Sequence, residues 1–348
     1  MRVVAVSTVL VAFGVIGCAA EVSEPLDETA EAVAANRFRY TQVNITAGPA
    51  NEDGWFPRGL SEDGEVIGQA FDCNEDFTIC TQDVVKRRRN GQFSVLEENF
   101  FVSDVNNRGD SGGCTSEPGF ENQAGIVREN GRLELIPRLP GEVSSCVNNV
   151  SDSGVAFVAS SDENFVVSVY VFDRGRILPF PVLDVTVVDI NDKAQLTGTQ
   201  FTPEVRAYRF DARTQTTTIL QPVPPDPAST SFDIDRQGEV LGTSFDFDGT
   251  IQRIGKWNRE NEFETSLVAT PEFIANSVAW NEQDLIVVSA TSDENTYLVP
   301  SPGVLINLAD LVKNPPVAPA LSVIAMNRRA DLVAFSQADG SVYLYRRD

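Results

Sequence analysis

The chain has 348 residues and a formal net charge of −23, and 42% of its residues are hydrophobic. This apolar content predicts a folded chain with a large core, while the acidic balance argues against nucleic acid as a partner and against adsorption to anionic lipid surfaces. The sequence contains no histidine, which excludes His-based catalytic triads, histidine general bases and the usual zinc, copper and non-haem iron sites.

Residues 1–17 have the pattern of an export signal. Arg2 is followed by an apolar stretch that ends at Gly17 and is too short to span a membrane comfortably. The stretch runs into Val15-Ile16-Gly17-Cys18, which resembles a lipobox, whose cysteine is lipidated and becomes the new N-terminus. The alternative is an ordinary secretory signal with a chance cysteine, but the small residue before Cys18 favours lipidation.

The segment that follows the signal is polar and acidic. Residues 18–36 are rich in Ala and Glu, so they predict a flexible tether between the lipid and the folded domain. Ala19 stands where an Asp would favour retention in the inner membrane. The lipobox resemblance therefore implies an outer-membrane lipoprotein, on either the periplasmic or the cell-surface side.

A short sequence motif then occurs seven times along the chain. Each copy has a large apolar residue, which we call the anchor, then Asn, Ser or Asp, two more residues and a small turn residue. The anchors lie 40 to 46 residues apart. They are Leu60, Val105, Val150, Ile190, Ile234, Trp280 and Met326. A regular period of this size, made of strands, is typical of β-propeller blades.

Residues 186–220 illustrate one blade, because four strand-like runs alternate there with short turns. The first turn is Asn191-Asp192-Lys193-Ala194, in which Asn caps its own backbone and the last position requires positive φ. This requirement explains Gly at four of the seven equivalent positions.

The last copy lacks a fourth strand, whereas residues 38–45 form an unassigned strand-like run before the first copy. We therefore expect this run to close the ring. The prediction is a single seven-bladed propeller of four-stranded antiparallel blades over residues 37–348.

Two copies, Ile190–Gly198 and Ile234–Gly242, resemble the bacterial extracellular repeats named after a His-Ala-Phe (HAF) signature. Units of that group read roughly Ile-Asn-x-x-Gly-x-Val-x-Gly and continue into an aromatic strand. The resemblance covers about residues 55–348, although the tripeptide itself is absent because the chain has no histidine. It implies a propeller fold and no specific activity.

Four further cysteines fit an oxidising compartment. Cys73 and Cys80 bracket six residues within the first repeat, while Cys114 and Cys146 fall on neighbouring blades. Of the three possible connectivities we favour 73–80 with 114–146. A metal–thiolate site is the alternative, although the chain lacks the close C-x-x-C pairs that such sites use.

Candidate metal ligands precede four of the anchors. They are Asp104, Asn149, Asp189 and Asp233. All lie on innermost strands near the channel, so their oxygens could converge on a cation such as Ca²⁺. The competing interpretation is that each carboxylate accepts backbone N–H bonds beside its own hairpin turn.

The repeat also sorts charge onto the two faces of the ring. The second-to-third turns are acidic, with residues such as Asp162, Glu204 and Asp246, whereas the opposite turns collect arginines, including the run Lys86-Arg87-Arg88-Arg89. This pattern indicates either a docking face or plain solubility.

These observations favour a non-catalytic binding scaffold for a protein or glycan of the cell envelope. The chain is expected to be monomeric, with no resident cofactor and no assigned catalytic residue, and to meet the membrane only through its lipid. The alternative is a carboxylate- or cation-dependent hydrolase or lyase acting on an extracellular polymer, because carboxylate-only sites leave no linear motif.

Overall fold

Within the residues that the structure describes, 28 strands form seven four-stranded antiparallel sheets, which are the blades of a β-propeller. The structure, a computed structural model, describes residues 38–49, 54–73, 80–115, 122–181, 184–248, 251–269, 275–281, 283–290, 294–313 and 320–348. Each sheet contains one copy of the repeat, so the predicted seven-bladed all-β fold is confirmed.

The ring closes between the two ends of the described chain. β1 (Tyr40–Asn44) pairs antiparallel with β28 (Val342–Arg347), which continues into β27 (Leu332–Ser336) and the innermost strand β26 (Leu321–Met326). These four strands form blade 7. The N-terminal strand therefore supplies the strand that the last repeat lacks, as the sequence predicts.

The other six blades are each built from four consecutive strands, ordered from the innermost strand outwards. Blade 1 contains β2 (Gly54–Leu60), β3 (Val66–Cys73), β4 (Cys80–Arg87) and β5 (Phe93–Glu97). Blade 2 contains β6 (Phe100–Val105), β7 (Ser111–Thr115), β8 (Ala124–Val127) and β9 (Leu133–Leu135). Blade 3 contains β10 (Glu142–Val150), β11 (Ala156–Asp162), β12 (Val167–Asp173) and β13 (Arg176–Pro179).

The second half of the ring repeats this order. Blade 4 contains β14 (Val185–Ile190), β15 (Gln195–Gln200), β16 (Arg206–Asp211) and β17 (Thr216–Leu220). Blade 5 contains β18 (Ala228–Ile234), β19 (Val240–Phe245), β20 (Gln252–Trp257) and β21 (Phe263–Ala269). Blade 6 contains β22 (Ala275–Trp280), β23 (Ile286–Ala290), β24 (Thr296–Ser301) and β25 (Val304–Asn307).

A short helix, α1 (Leu308–Leu311), follows blade 6, and the Asn307 side chain caps its first turn. No helix in the described ranges is long and apolar enough to cross a membrane. The predicted signal, Cys18 and the tether over residues 18–36 lie outside the described residues.

The antiparallel order divides the turns between two faces. We call the face with the second-to-third turns and the blade-to-blade links the link face. The opposite face carries the first-to-second and third-to-fourth turns, and β1 begins and β28 ends there. We call it the base face.

The turn of the repeat has the backbone that its residues predict. Its fourth position has positive φ in all seven blades, including the two alanines. These positions are Gly64, Gly109, Gly154, Ala194, Gly238, Asp284 and Ala330. Within the turn, Asn191 Oδ1 accepts the N–H groups of Lys193 and Gln195 at 3.0 Å each. The side chain therefore satisfies backbone donors that the tight turn leaves without partners.

The same asparagine also joins neighbouring blades. Asn106 Nδ2 donates to the carbonyl of Ser151 at 2.8 Å, and Asn191 Nδ2 donates to the carbonyl of Asp235 at 2.9 Å. Each acceptor is the residue at the equivalent position of the next blade. A serine or aspartate at this position caps its own turn but has no amide to donate.

Both favoured disulfides are present. Cys73 is bonded to Cys80 within blade 1, and Cys114 is bonded to Cys146 across blades 2 and 3. The hydrophobic cores lie between neighbouring sheets. Between blades 3 and 4, the ring of Phe180 packs edge to face on Phe210, with centroids 5.1 Å apart. The blades are thus held together by apolar packing, by the asparagine bonds and at one joint by a covalent bond.

Candidate functional site

A bulge in the innermost strands places the residues before the anchors in the central channel. The pairing of β6 with β7 shifts register between Val102 and Asp104, and the same shift precedes Asn149, Asp189 and Asp233. A bulge leaves one residue of the strand without a backbone partner and changes the direction of the side chain that follows it. All four candidate ligands therefore line the channel.

The bulge also explains the glycine on the second strand of several blades. A Cβ at Gly113 or at Gly198 would lie 1.8 Å from a carbonyl oxygen of the innermost strand. Only glycine allows so close an approach of the two backbones.

The channel holds a cavity of about 370 Å³ with two unlike walls. Blades 2 to 5 contribute the polar wall, which contains the four candidate ligands. Blades 6 and 7 contribute an apolar wall. Its residues include Val278, Ala279, Ile324 and Ala325. Phe232 and Trp280 also line the cavity, so the space is amphipathic and large enough for a small molecule.

The carboxylates of the polar wall bind the neighbouring blade as well as their own. Asp104 Oδ2 accepts the N–H of Val150 at 2.8 Å, and Asp189 Oδ2 accepts the N–H of Ile234 at 3.1 Å. Both donors are anchors of the following blade. Asn149 Nδ2 donates to the carbonyl of Val188 at 2.7 Å. The interpretation that each carboxylate serves only its own hairpin turn is therefore incomplete, because these bonds also connect blades.

Asp189 and Asp233 form a hydrogen-bonded acid pair. Burial and then the charge of Asp233 raise the pKa of Asp189 well above its usual range, and burial also raises the pKa of Asp233. Two carboxyl groups in contact cannot both ionise without strong repulsion, so the pair retains one proton. The shared proton gives the cavity one carboxylic acid beside one carboxylate.

Asp104 is the third carboxyl group of the wall. Burial raises its pKa to about 6, although N–H groups of Val150 and Val105 favour the ionised form. Its side chain remains partly accessible from the channel. The group therefore changes charge in a mildly acidic range.

Arg236 extends across the base-face end of the channel. The guanidinium of this blade 5 residue contacts Asp152 of blade 3, lies 3.6 Å from Asp192 of blade 4 and lies 3.8 Å from Glu62 of blade 1. Arg328 of blade 7 binds the same Glu62 at 3.0 Å. The sequence places Arg236 among surface turn residues, and the spacing alone does not indicate that it contacts three other blades.

The cation hypothesis gains no support from this arrangement. The described ranges contain no group of three or more Asp, Glu, Cys or His side chains arranged to hold a metal ion. The amide nitrogen of Asn149 faces Val188, and one oxygen of Asp104 already faces Val150. The geometry instead offers hydrogen-bonding groups and a shared proton.

The link face carries a second candidate site that sequence reasoning missed. Apolar side chains on its turns are exposed in blades 3, 4 and 5: Phe165 is 81% exposed, Phe247 56% and Phe201 46%. In the first of these turns, Asp162 Oδ1 accepts the N–H groups of Asn164 and Val166 at 2.8 and 2.9 Å. Phe165 has a φ of 61°, a strained conformation for a bulky residue.

The charge pattern expected for the faces is partly correct. The described second-to-third turns carry acidic residues beside the exposed phenylalanines. These residues are Asp162, Glu163, Glu204, Asp246 and Asp248. Glu117 and Asp293, which the repeat predicts to join them, lie outside the described residues. The base face is not uniformly basic, because Lys256 is paired with Glu239 and Asp284 at 3.0 and 2.9 Å.

No family model matches the chain, and no curated protein matches it significantly in sequence. Solved structures do share its fold. Virginiamycin B lyase from Staphylococcus aureus is similar with a TM-score of 0.51 and 10% identity, over 88% of this chain and 99% of that one. The β-propeller domain of the Trilobed protease from Pyrococcus furiosus has a TM-score of 0.59 and 6% identity, over 84% and 96%.

Oligogalacturonate lyase from Vibrio parahaemolyticus has a TM-score of 0.56 and 10% identity, over 88% of this chain and 90% of that one. At identities this low the likeness shows the propeller fold alone. Activities hosted on the same scaffold differ widely, so the function has to be argued from the sites of this chain.

Proposed function

We propose that this protein is a non-catalytic, lipid-anchored binding scaffold of the cell envelope, which holds a protein or glycan partner on its link face. The exposed apolar side chains on three successive blades carry this proposal. They are Phe165, Val166, Val167, Phe201 and Phe247. Clustered apolar exposure at the turns of a rigid ring is typical of a contact surface.

The chemistry of this surface favours a protein partner with basic groups around an apolar centre. Acidic residues stand within the same turns, and potentials of opposite sign steer partners together. The aliphatic side chains of Val166 and Val167 suit a protein surface better than a sugar ring. A glycan partner remains the other outcome of the test.

The test compares capture of envelope components by the wild type and by two double variants. F165S/F247S removes the two most exposed phenylalanines of the link face. V95S/L135S is the control, because these residues are also apolar and exposed, at 50% and 49%, but lie on the outer strands β5 and β9. We expect one component to be captured by the wild type and by the control but lost with F165S/F247S.

Two results would contradict the proposal. One is equal capture by all three proteins, which would show that the link face is not the contact surface. The other is failure of the wild type to retain any protein or glycan from intact envelopes. Circular dichroism of each variant checks that the propeller is folded.

The location is part of the same proposal. Cys18 would carry the lipid, residues 18–36 would form the tether, and the protein would reside in the outer membrane as a monomer on its periplasmic or cell-surface side. Metabolic labelling with a fatty acid tests this, with C18A expected to remain unlabelled. Labelling of C18A equal to that of the wild type would exclude the lipobox.

A second candidate function has one observation in its favour. The Asp189–Asp233 pair offers an acid and a base inside the cavity, as a carboxylate-dependent hydrolase or lyase requires. If the wild type degrades extracellular polymers and D189N does not, the enzymatic proposal replaces the binding proposal. Inactivity of the wild type on such polymers would exclude it.

A further inference from the structure

Arginines are concentrated on the base face where blade 7 meets blade 1. Three stand at the end of β4, two at the end of β28, two in the first turn of blade 7 and one just before β1. They are Arg87, Arg88, Arg89, Arg346, Arg347, Arg328, Arg329 and Arg39. We call this group the arginine patch. It gathers eight of the 27 basic residues in a chain whose net charge is −23.

Contacts show that these side chains lie together. Arg346 Nη2 donates to the carbonyl of Arg89 at 2.9 Å. The pKa of Arg87 is lowered by burial and by the charge of Arg346, and the pKa of Arg346 is lowered by burial and by Arg89. Each of these guanidinium groups therefore feels the repulsion of another.

Nearby carboxylates neutralise only part of the patch. Arg328 is paired with Glu62 at 3.0 Å, Arg329 with Asp63 at 3.6 Å and Arg89 with Asp331 at 3.7 Å. Asp331 Oδ1 also accepts the backbone N–H of Arg347 at 2.8 Å.

Four members of the patch have no ion pair with any carboxylate in the described part of the chain. They are Arg39, Arg87, Arg88 and Arg346. Repulsion between unpaired charges is relieved when an anionic partner binds, so the patch is suited to a surface of negative charge.

Elsewhere on the base face the basic residues are less concentrated, and some of them are paired with carboxylates. Arg213 of blade 4 is paired with the buried Asp173 of blade 3 at 2.8 Å, and the lysine of blade 5 is held between two carboxylates. Because charges beyond about 8–10 Å are screened at physiological salt, a local basic patch can act even in an acidic protein. The acidic net charge of the chain therefore does not argue against binding of anionic lipid at the joint between blades 7 and 1.

The path of the chain indicates what faces the patch. Phe38, the first described residue, lies under the guanidinium of Arg347 at 4.5 Å from the ring centroid, and β1 starts two residues later. The 37 residues that precede Phe38 thus join the propeller at the edge of the patch. Attachment through that segment would tether the propeller at this part of the base face.

We propose that the arginine patch contacts the headgroups of anionic phospholipids, so that the propeller rests on the membrane by this joint and its link face points away. This goes beyond the proposed binding function, because it assigns a second surface and an orientation. It adds an electrostatic contact to the lipid anchor. The contact would be sensitive to salt, since each surface charge is screened by ions.

The experiment measures binding to phosphatidylcholine vesicles with and without phosphatidylglycerol, using a chain that starts at Ala19 and has Cys18 and the lipid removed. All seven sheets lie between Tyr40 and Arg347, so this chain contains the complete propeller. The variant R87Q/R88Q/R346Q removes three of the four unpaired charges. The control R174Q/R176Q/R259Q removes three arginines exposed on the same face, from blades 3 and 5.

We expect the wild type and the control to bind only the anionic vesicles, and R87Q/R88Q/R346Q to bind them roughly a hundredfold more weakly. Inorganic phosphate, compared with chloride at equal ionic strength, should not displace the protein. The proposal is overturned if the wild type does not bind the anionic vesicles, or if the two triple variants lose equal amounts of vesicle binding. It is also overturned if phosphate specifically displaces the protein from the vesicles, which would indicate a site for the free anion. If the triple variant fails to fold, R88Q alone is used, since Arg88 is exposed, and a loss of roughly fivefold is expected.

Discussion

Asn327 donates its side-chain amide to the carbonyl oxygen of Ser61 at 3.0 Å, and this bond joins the last repeat to the first across 266 residues. The Oδ1 atom of the same residue accepts the N–H groups of Arg329 and Asp331 at 3.0 and 2.9 Å. One fully buried side chain therefore holds its own turn and the junction between blades 7 and 1. The closing joint thus depends on an asparagine bond in addition to the pairing of β1 with β28.

We predict that N327A lowers the free energy of unfolding by about 2–4 kcal/mol, because it leaves buried donors and an acceptor unpaired and also removes packing. The matched control is N258A. Asn258 accepts the N–H groups of Glu260 and Glu262 at 3.0 Å each but has no bond to a neighbouring blade, so its loss should cost about 1 kcal/mol. Denaturant unfolding measures both, and equal costs would show that the bond to Ser61 contributes nothing.

The anchors and the turns follow from the sequence because each obeys a local rule, and the closing strand and the two favoured disulfides follow from the count and register of the repeats. Positive φ restricts the residue types of a turn, and alternation marks a strand. The bond from Asn191 to Asp235 does not follow from such a rule, because the acceptor lies 44 residues away on the next blade. By contrast, the register of the repeats is sufficient to identify the four polar residues before the anchors as channel residues.

The partners of those residues could not be predicted. A bulge between Val187 and Asp189 directs the carboxylate towards Ile234. Gly198 on the second strand marks the bulge in the sequence, but it does not indicate that the carboxylate reaches the next blade. The exposed Phe165 was missed for another reason. Its turn resembles any polar turn in sequence, and only its exposure in the structure distinguishes it.

The pH dependence of stability should reflect Asp104. Its pKa in the folded chain is raised to about 6, above the usual range of an unfolded aspartate, so the folded state holds the proton more tightly than the unfolded state does. This contribution is fully present below about pH 4 and is lost as the pH rises through 6. The loss amounts to at most about 3 kcal/mol.

We therefore predict that D104N, relative to wild type, gains stability between pH 4 and pH 8, by about 2 kcal/mol. Asparagine is compatible with the site, since Asn149 stands at the same position of the next blade. The reciprocal variant N149D should lose stability as the pH rises, because it adds a carboxyl group to the wall. A constant difference between D104N and wild type across this range would contradict the assigned pKa.

The two disulfides should differ in their effect on stability. Cys114 and Cys146 are separated by 32 residues and join two blades, whereas Cys73 and Cys80 are separated by 7 residues within one blade. Loop-closure entropy grows with the length of the closed loop. We predict that C114S/C146S costs about 3–4 kcal/mol and C73S/C80S about 2–3 kcal/mol, as measured by chemical denaturation without reductant. The opposite order would contradict the loop-closure account of their stabilisation.

Phe165 should show a conflict between stability and binding. Its φ of 61° is unfavourable for phenylalanine, while its side chain is 81% exposed and packs little. Asparagine adopts this conformation more readily. We therefore predict that F165N raises the free energy of unfolding by about 0.5–1 kcal/mol and weakens capture of the link-face partner. F247N is the control, because Phe247 is exposed without a positive φ: it should weaken capture without raising stability. If F165N gained stability and kept full capture, the strained phenylalanine would have no role in binding.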